Sequence, residues 1–160
     1  MATATSRLGE LIDAIAATLE ARAGLAGVNI LTGPASDEEL GIEYIALAIG
    51  EIQLPKRFAA AGNRLALETL TIPCELQARA EGAGNPARKV ARDRALALYA
   101  EVEDAHRTAV AAPGGSVTFG VPEVAVVRLS SARMGQGYVD NERTVVIGFE
   151  FEADVYLVSA

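Results

Sequence analysis

Residues 65–82 read LALETLTIPCELQARAEG, and residues 144–158 read TVVIGFEFEADVYLV. In the first stretch Leu70, Ile72, Cys74, Leu76 and Ala78 share one parity, while Thr69, Thr71, Glu75, Gln77 and Arg79 share the other. In the second, Val145, Ile147, Phe149, Phe151, Ala153, Val155 and Leu157 alternate with positions that include Glu150, Glu152 and Asp154. Successive side chains of a strand point to opposite faces, so each stretch predicts a strand with one buried and one wet face. Pro73 has no N–H to give to a ladder, which predicts a sheet edge or a bulge at that point.

Working outward, NPARKVARDRALALYAEVEDAH follows the first stretch. Its Ala91, Ala95, Leu98, Val102 and Ala105 form one stripe at helical spacing. The helix is predicted over 86–107, with Asn85 as cap and Pro86 in the first position. Near the N-terminus Leu8, Leu11, Ile12, Ile15 and Leu19 predict a helix over 6–23, capped by Thr5 or Ser6 and ended by Gly24. Val28–Thr32 reads as a short strand. Glu43–Leu54 is apolar on both parities, as a central strand covered on both sides would be. Lys56–Asn63 reads as a loop.

Beyond Pro113-Gly114-Gly115 the pattern is all strand: Val117–Val121, then Val124–Leu129, a polar loop over Arg133–Arg143, and the final strand. The last two strands predict a C-terminal hairpin over 124–158. Together these elements predict one α+β domain spanning 1–160, a mostly antiparallel sheet of about four to six strands with two main helices packed on it.

Composition sets the outer limits. The chain has 160 residues, 51% of them hydrophobic and 22% charged, which suits a single core. One Cys and one His leave no disulfide framework and no Cys-based zinc site. A formal charge of −7 argues against a nucleic-acid-binding surface, whose affinity comes from clustered Lys and Arg. Arg7, Glu10, Asp13 and Glu20 interrupt any secretory signal, and the uncharged run Thr108–Pro122 is too short and too broken by Pro and Gly to cross a bilayer. A soluble protein, intracellular when made and without a membrane partner, is expected.

Few residues suggest chemistry. His106 ends the second helix with no nucleophile or orienting partner in sequence reach, and Cys74 lies on the apolar parity of its strand; both read as structural. Gly82-Ala83-Gly84 and Gly135-Gln136-Gly137 lack the spacing and context of a phosphate loop. Asp37-Glu38-Glu39 reads as a surface cluster. Glu150, Glu152 and Asp154 share one face at period two, either as a solvated wall or as the acidic site of a small enzyme. No catalytic, cofactor-binding or metal-ligating residue is expected, and no cofactor. The second helix carries Arg88, Lys89, Arg92 and Arg94 near its start and Glu101, Glu103 and Asp104 near its end, against the preference of the helix dipole. Either a solvated surface tolerates this, or Arg88 and Arg92 meet an acidic neighbour at a subunit interface.

The element order resembles that of the tail terminator proteins of long-tailed bacteriophages over about residues 6–158. An amphipathic helix is followed by GVNILTGPASDEE, EYIALAIGEIQL, the charged stretch PKRFAAAGNR, the strand and helix quoted above, and a hairpin ending in RTVVIGFEFEADVYLV. The resemblance implies a structural role without catalysis. Such proteins form a ring, usually a hexamer, on the head-proximal end of the tail tube. The ring ends tube polymerisation and presents a surface to the neck or head-completion protein. DNA passes through the lumen without specific binding.

The implied partners are other copies of the chain, the tail tube protein and a neck protein. The implied place is the tail–neck junction of a virion, assembled in the host cytoplasm. A neck, head-closure or other tail-completion protein is the alternative within the same setting. Loops are the expected docking surfaces, with Lys56, Arg57 and Phe58 in one and Arg133, Met134 and Tyr138 in the other. Glu150, Glu152 and Asp154 are expected to line the lumen and repel the DNA backbone.

Overall fold

The computed structural model describes residues 7–39, 43–52, 66–139 and 141–157. In chain order the elements are α1 (Leu8–Glu20), β1 (Asn29–Leu31), β2 (Tyr44–Leu47), β3 (Ala66–Glu81), α2 (Gly84–Thr108), β4 (Val124–Val139) and β5 (Glu142–Leu157). The strands form one sheet in the order β1-β2-β3-β5-β4. Only the β1–β2 pair is parallel, so the sheet is mixed but dominated by antiparallel ladders. Two helices on a five-stranded sheet give the α+β class expected.

β3 and β5 are the spine. They pair along their whole lengths, from Ala66 opposite Leu157 to Glu81 opposite Glu142. Their apolar parities, Leu70 to Ala78 and Val145 to Val155, are buried in one cluster with Leu11, Ile15 and Leu19 of α1 and Ala91, Ala95, Leu98 and Val102 of α2. The stripe read from the sequence of α2 is therefore its contact with the sheet. Tyr99 adds an edge-to-face contact with Phe149 at 5.7 Å between ring centres.

Several boundaries differ from the sequence reading, each for a local reason. Pro73 is not in a bulge. Although β3 as a whole lies between β2 and β5, the β2 ladder covers only Cys74–Gln77, so Pro73 sits where the strand is locally an edge on the β2 side. Its carbonyl accepts a bond from the Ile49 N–H at 3.0 Å, so its nitrogen faces the side where β2 has already ended at Leu47. The missing donor costs no bond to β5. The register shifts lie in β4 instead, between Val124 and Val126 and between Ser130 and Ala132, where Ser131 takes φ 28. Arg133–Arg143 is not a loop, because the hairpin ladder continues to Val139 and Glu142 and turns beside Asn141 at φ 66. Residues 131–138 are exposed throughout, so no hydrophobic alternation marks them as strand.

The remaining differences are shorter. Of the expected strand Glu43–Leu54, residues 43–52 are described, and among them only Tyr44–Leu47 is strand; all four residues are buried, as a doubly covered strand requires, and Ala48 at φ 57 ends it. Val117–Val121 forms only an isolated bridge, Val117 to Ala111. α1 gives way to a 3-10 turn at Ala23–Leu25, and the left-handed glycine is Gly27 (φ 82), not Gly24. At Gly24 a Cβ would meet the Glu101 side chain of α2, which would have to swing aside from its pair with Arg22. Gly84 at φ 87 leads into α2 and no side chain caps it, which displaces Asn85 from the cap position. Thr5, Ser6 and the loop Lys56–Asn63 lie outside the described residues.

Candidate assembly surfaces

The parity of β3 and β5 that turns away from the helices builds an open face. Thr69, Thr71 and Arg128 are exposed on it, and Glu150, Glu152 and Asp154 run down its β5 row. The three carboxylates do not converge. Asp154 accepts hydrogen bonds from Thr69 Oγ1 and Arg128, each at 2.8 Å. Burial pushes its carboxyl up, but the bonds from Arg128 and Thr69 outweigh that and hold it below the usual carboxylate range. Among the described residues Glu150 accepts a hydrogen bond from Ser131 Oγ alone, at 3.5 Å. Among the described residues no group of three or more His, Cys, Asp or Glu side chains could hold a metal ion.

His106 and Cys74 both serve the core. The His106 Nε2–H donates to the Val127 carbonyl at 2.9 Å, and the ring packs 6.2 Å from those of Phe119 and Phe151. Cys74 is buried, with its thiol pushed up to about 12 by desolvation. Such a thiol is no nucleophile near neutral pH.

The other surface lies on the helix side, where the distal hairpin meets the start of α2. Because Ser131 bulges, Met134, Gln136 and Tyr138 face the same side as the core residues Ile147 and Val145, yet they extend past the body of α2 and stay exposed. Arg88, Gln136, Tyr138, Arg143 and Val145 line a shallow cleft of about 350 Å³. The Arg143 guanidinium lies 4.5 Å from the centre of the Tyr138 ring, a cation–π contact that the sequence did not reveal. Tyr138 in turn donates to Asn141 Oδ1 at 2.7 Å. Lys89 and Arg92 line an adjoining hollow with Arg88 and Gln136.

Of the residues expected to dock partners, the structure thus brings Tyr138 and Arg88 to one cleft, with Arg92 beside it and Met134 on the same strand face. Arg133 points to the open face, beside Pro73, Ser131 and Glu150. All three β4 positions belong to an edge strand rather than a loop. Lys56, Arg57 and Phe58 lie outside the described residues. Arg92 reaches only its own neighbour Asp93, at 2.8 Å.

No protein-family model matches the chain, and no curated protein matches it. Among solved structures the chain is similar to one from the virion of a native gene transfer agent (GTA) particle. The fold is one found in a virion. The likeness has a TM-score of 0.58 and covers 94% of this chain and 98% of that one, at 18% sequence identity. Sequences this far apart share the fold; what each does must be argued from its own surfaces.

Proposed function

We propose that this chain is a structural virion protein that caps the head-proximal end of a tail tube as a ring, ends tube polymerisation and joins the tail to the neck. The observation that carries this reading is the full-length fold shared with a chain of the GTA virion, on a sequence whose element order resembles tail terminators. The surfaces agree with it. The long edge strand β4 and an acidic open face suit assembly better than turnover, because the titratable groups of that face are spread along a ladder instead of converging on a reacting atom. In the ring, the open face with Glu150, Glu152 and Asp154 lines the lumen, and the negative wall keeps passing DNA from adhering.

Electron microscopy of the purified protein mixed with tail tubes of its own particle tests the reading. A closed ring at one end of the tube is expected. Decoration along the tube, or no binding to it, would overturn the terminator role, and capture of a portal-side adaptor instead would move the protein to the neck. Replacing Arg57 and Phe58 with Ala is expected to weaken that binding while the monomer stays folded.

A further inference from the structure

Charge on this molecule is sorted by place. Among the described residues, the cations with no carboxylate within ion-pair distance are Arg88, Lys89, Arg133 and Arg143. All four lie on the distal hairpin or the first turns of α2, and three of them surround the cleft beside edge strand β4. The opposite edge of the sheet is β1, against which α1 packs. There the imbalance has the other sign. Asp13 and Glu20 are exposed and make no ion pair among the described residues, and seven residues apart they fall on one stripe of α1.

We propose that copies of this chain meet head to tail through these unlike edges, with the Arg88–Lys89–Arg143 cleft of one copy receiving the Asp13 and Glu20 stripe of the next. Two features favour a second copy as the occupant. The complementary charges are carried by the same chain on opposite edges of its sheet, so a single operation repeats the contact. Neither patch can pair with itself, since cleft against cleft or stripe against stripe sets like charges together. With the two patches on opposite edges, one two-fold axis cannot bring both cleft–stripe contacts together, which leaves the heterologous arrangement, closing into a ring when its rotation permits. The inference deepens the ring reading above, though the contact stands on charge and placement alone.

Cysteine trapping tests it on the full chain. Gln136→Cys and Asp13→Cys place one thiol in the cleft and one on the stripe, and the buried native Cys74 does not compete. Mixed at about 1 mM, where a pairing with a Kd near 1 mM is substantially formed, and with oxidised glutathione as the two-electron oxidant, the two variants are expected to form a mixed disulfide dimer at least tenfold faster than either forms its own. The yield should fall as salt rises. Adding Arg88→Glu and Lys89→Glu to the cleft variant is expected to abolish the mixed dimer, and Asp13→Cys with Glu20→Lys in the partner to restore part of it.

Homodimers forming as fast as the mixed species would overturn the proposal. So would absence of any adduct, or crosslinking of the Gln136→Cys variant to a different protein in assembled particles. The tube-end imaging reports separately: rings there without trapping mean another surface builds the ring, and trapping without rings leaves the contact standing while the terminator role falls.

Discussion

Glu68 lies on the core parity of β3, is 3% exposed, and its Oε2 has no hydrogen-bond partner among the described residues. Burial without compensation raises its carboxyl above the ordinary 4.5. The native state therefore holds the proton more tightly than the unfolded chain, and stability falls as pH rises from about the unfolded value through the raised folded one. Glu68→Gln is expected to stabilise the fold by about 1 kcal/mol at pH 7 and to flatten this part of the pH profile, as measured by chemical denaturation from pH 4 to 8. Asp154 runs the other way. Its carboxyl is held low, so its contribution is complete above the ordinary 3.8 and is lost as pH falls through the folded value. Asp154→Asn, which keeps the shape and removes the charge that Arg128 engages, is expected to cost about 1 kcal/mol at pH 7, with Arg128 half exposed to solvent. The variant and the parent should converge in acid.

At the scale of elements, what the sequence made legible follows from burial. The long strands and the second helix could be read because one side of each faces a dry core: Leu70 to Ala78, Val145 to Val155, and the stripe from Ala91 to Ala105. The edge strand could not, because Arg133 to Tyr138 meet solvent on both sides and nothing selects an alternation. The bulge at Ser131 hid it further by switching parity in mid-strand. It is also the reason that Met134, Gln136 and Tyr138 share a side with the cleft. Pro73 marks the place where β3 loses its β2 neighbour, and of the edge and the bulge it predicted only the bulge is absent, since composition says that a donor is missing but not how the strand accommodates it.

The same logic ranks substitutions in α2. Leu98 is wholly buried between the helix and the sheet, so Leu98→Ala should cost about 2–5 kcal/mol, read as a fall in the denaturation midpoint with the slope unchanged. Leu96 is 48% exposed, and Leu96→Ala should change stability by no more than about 0.5 kcal/mol. A comparable loss at both positions would mean that α2 packs on another face than its stripe.

Over the whole molecule, the net charge of −7 is spread in two ways that bear on DNA. Three of the unpaired cations gather at the cleft and the start of α2, while the open face carries Glu150, Glu152 and Asp154 against Arg128 and Arg133 on its β4–β5 rows. If that face borders a channel through which a duplex moves, its sign matters more than any single contact, because a wall of like charge raises the energy of every phosphate that approaches it. Among the described residues Glu150 and Glu152 make no ion pair, and both are partly exposed, so reversing them should leave the monomer within about 0.5 kcal/mol of its parent. Glu150→Lys with Glu152→Lys is therefore expected to keep the denaturation midpoint and gain salt-dependent affinity for short duplex DNA in fluorescence anisotropy, where the parent shows none. In assembled particles the same pair of changes should slow DNA release without reducing the number of tails joined to heads. If the parent binds duplex as tightly as the reversed variant, the carboxylates are not acting as a repelling wall. If release is unchanged while binding is gained, the open face does not border the channel.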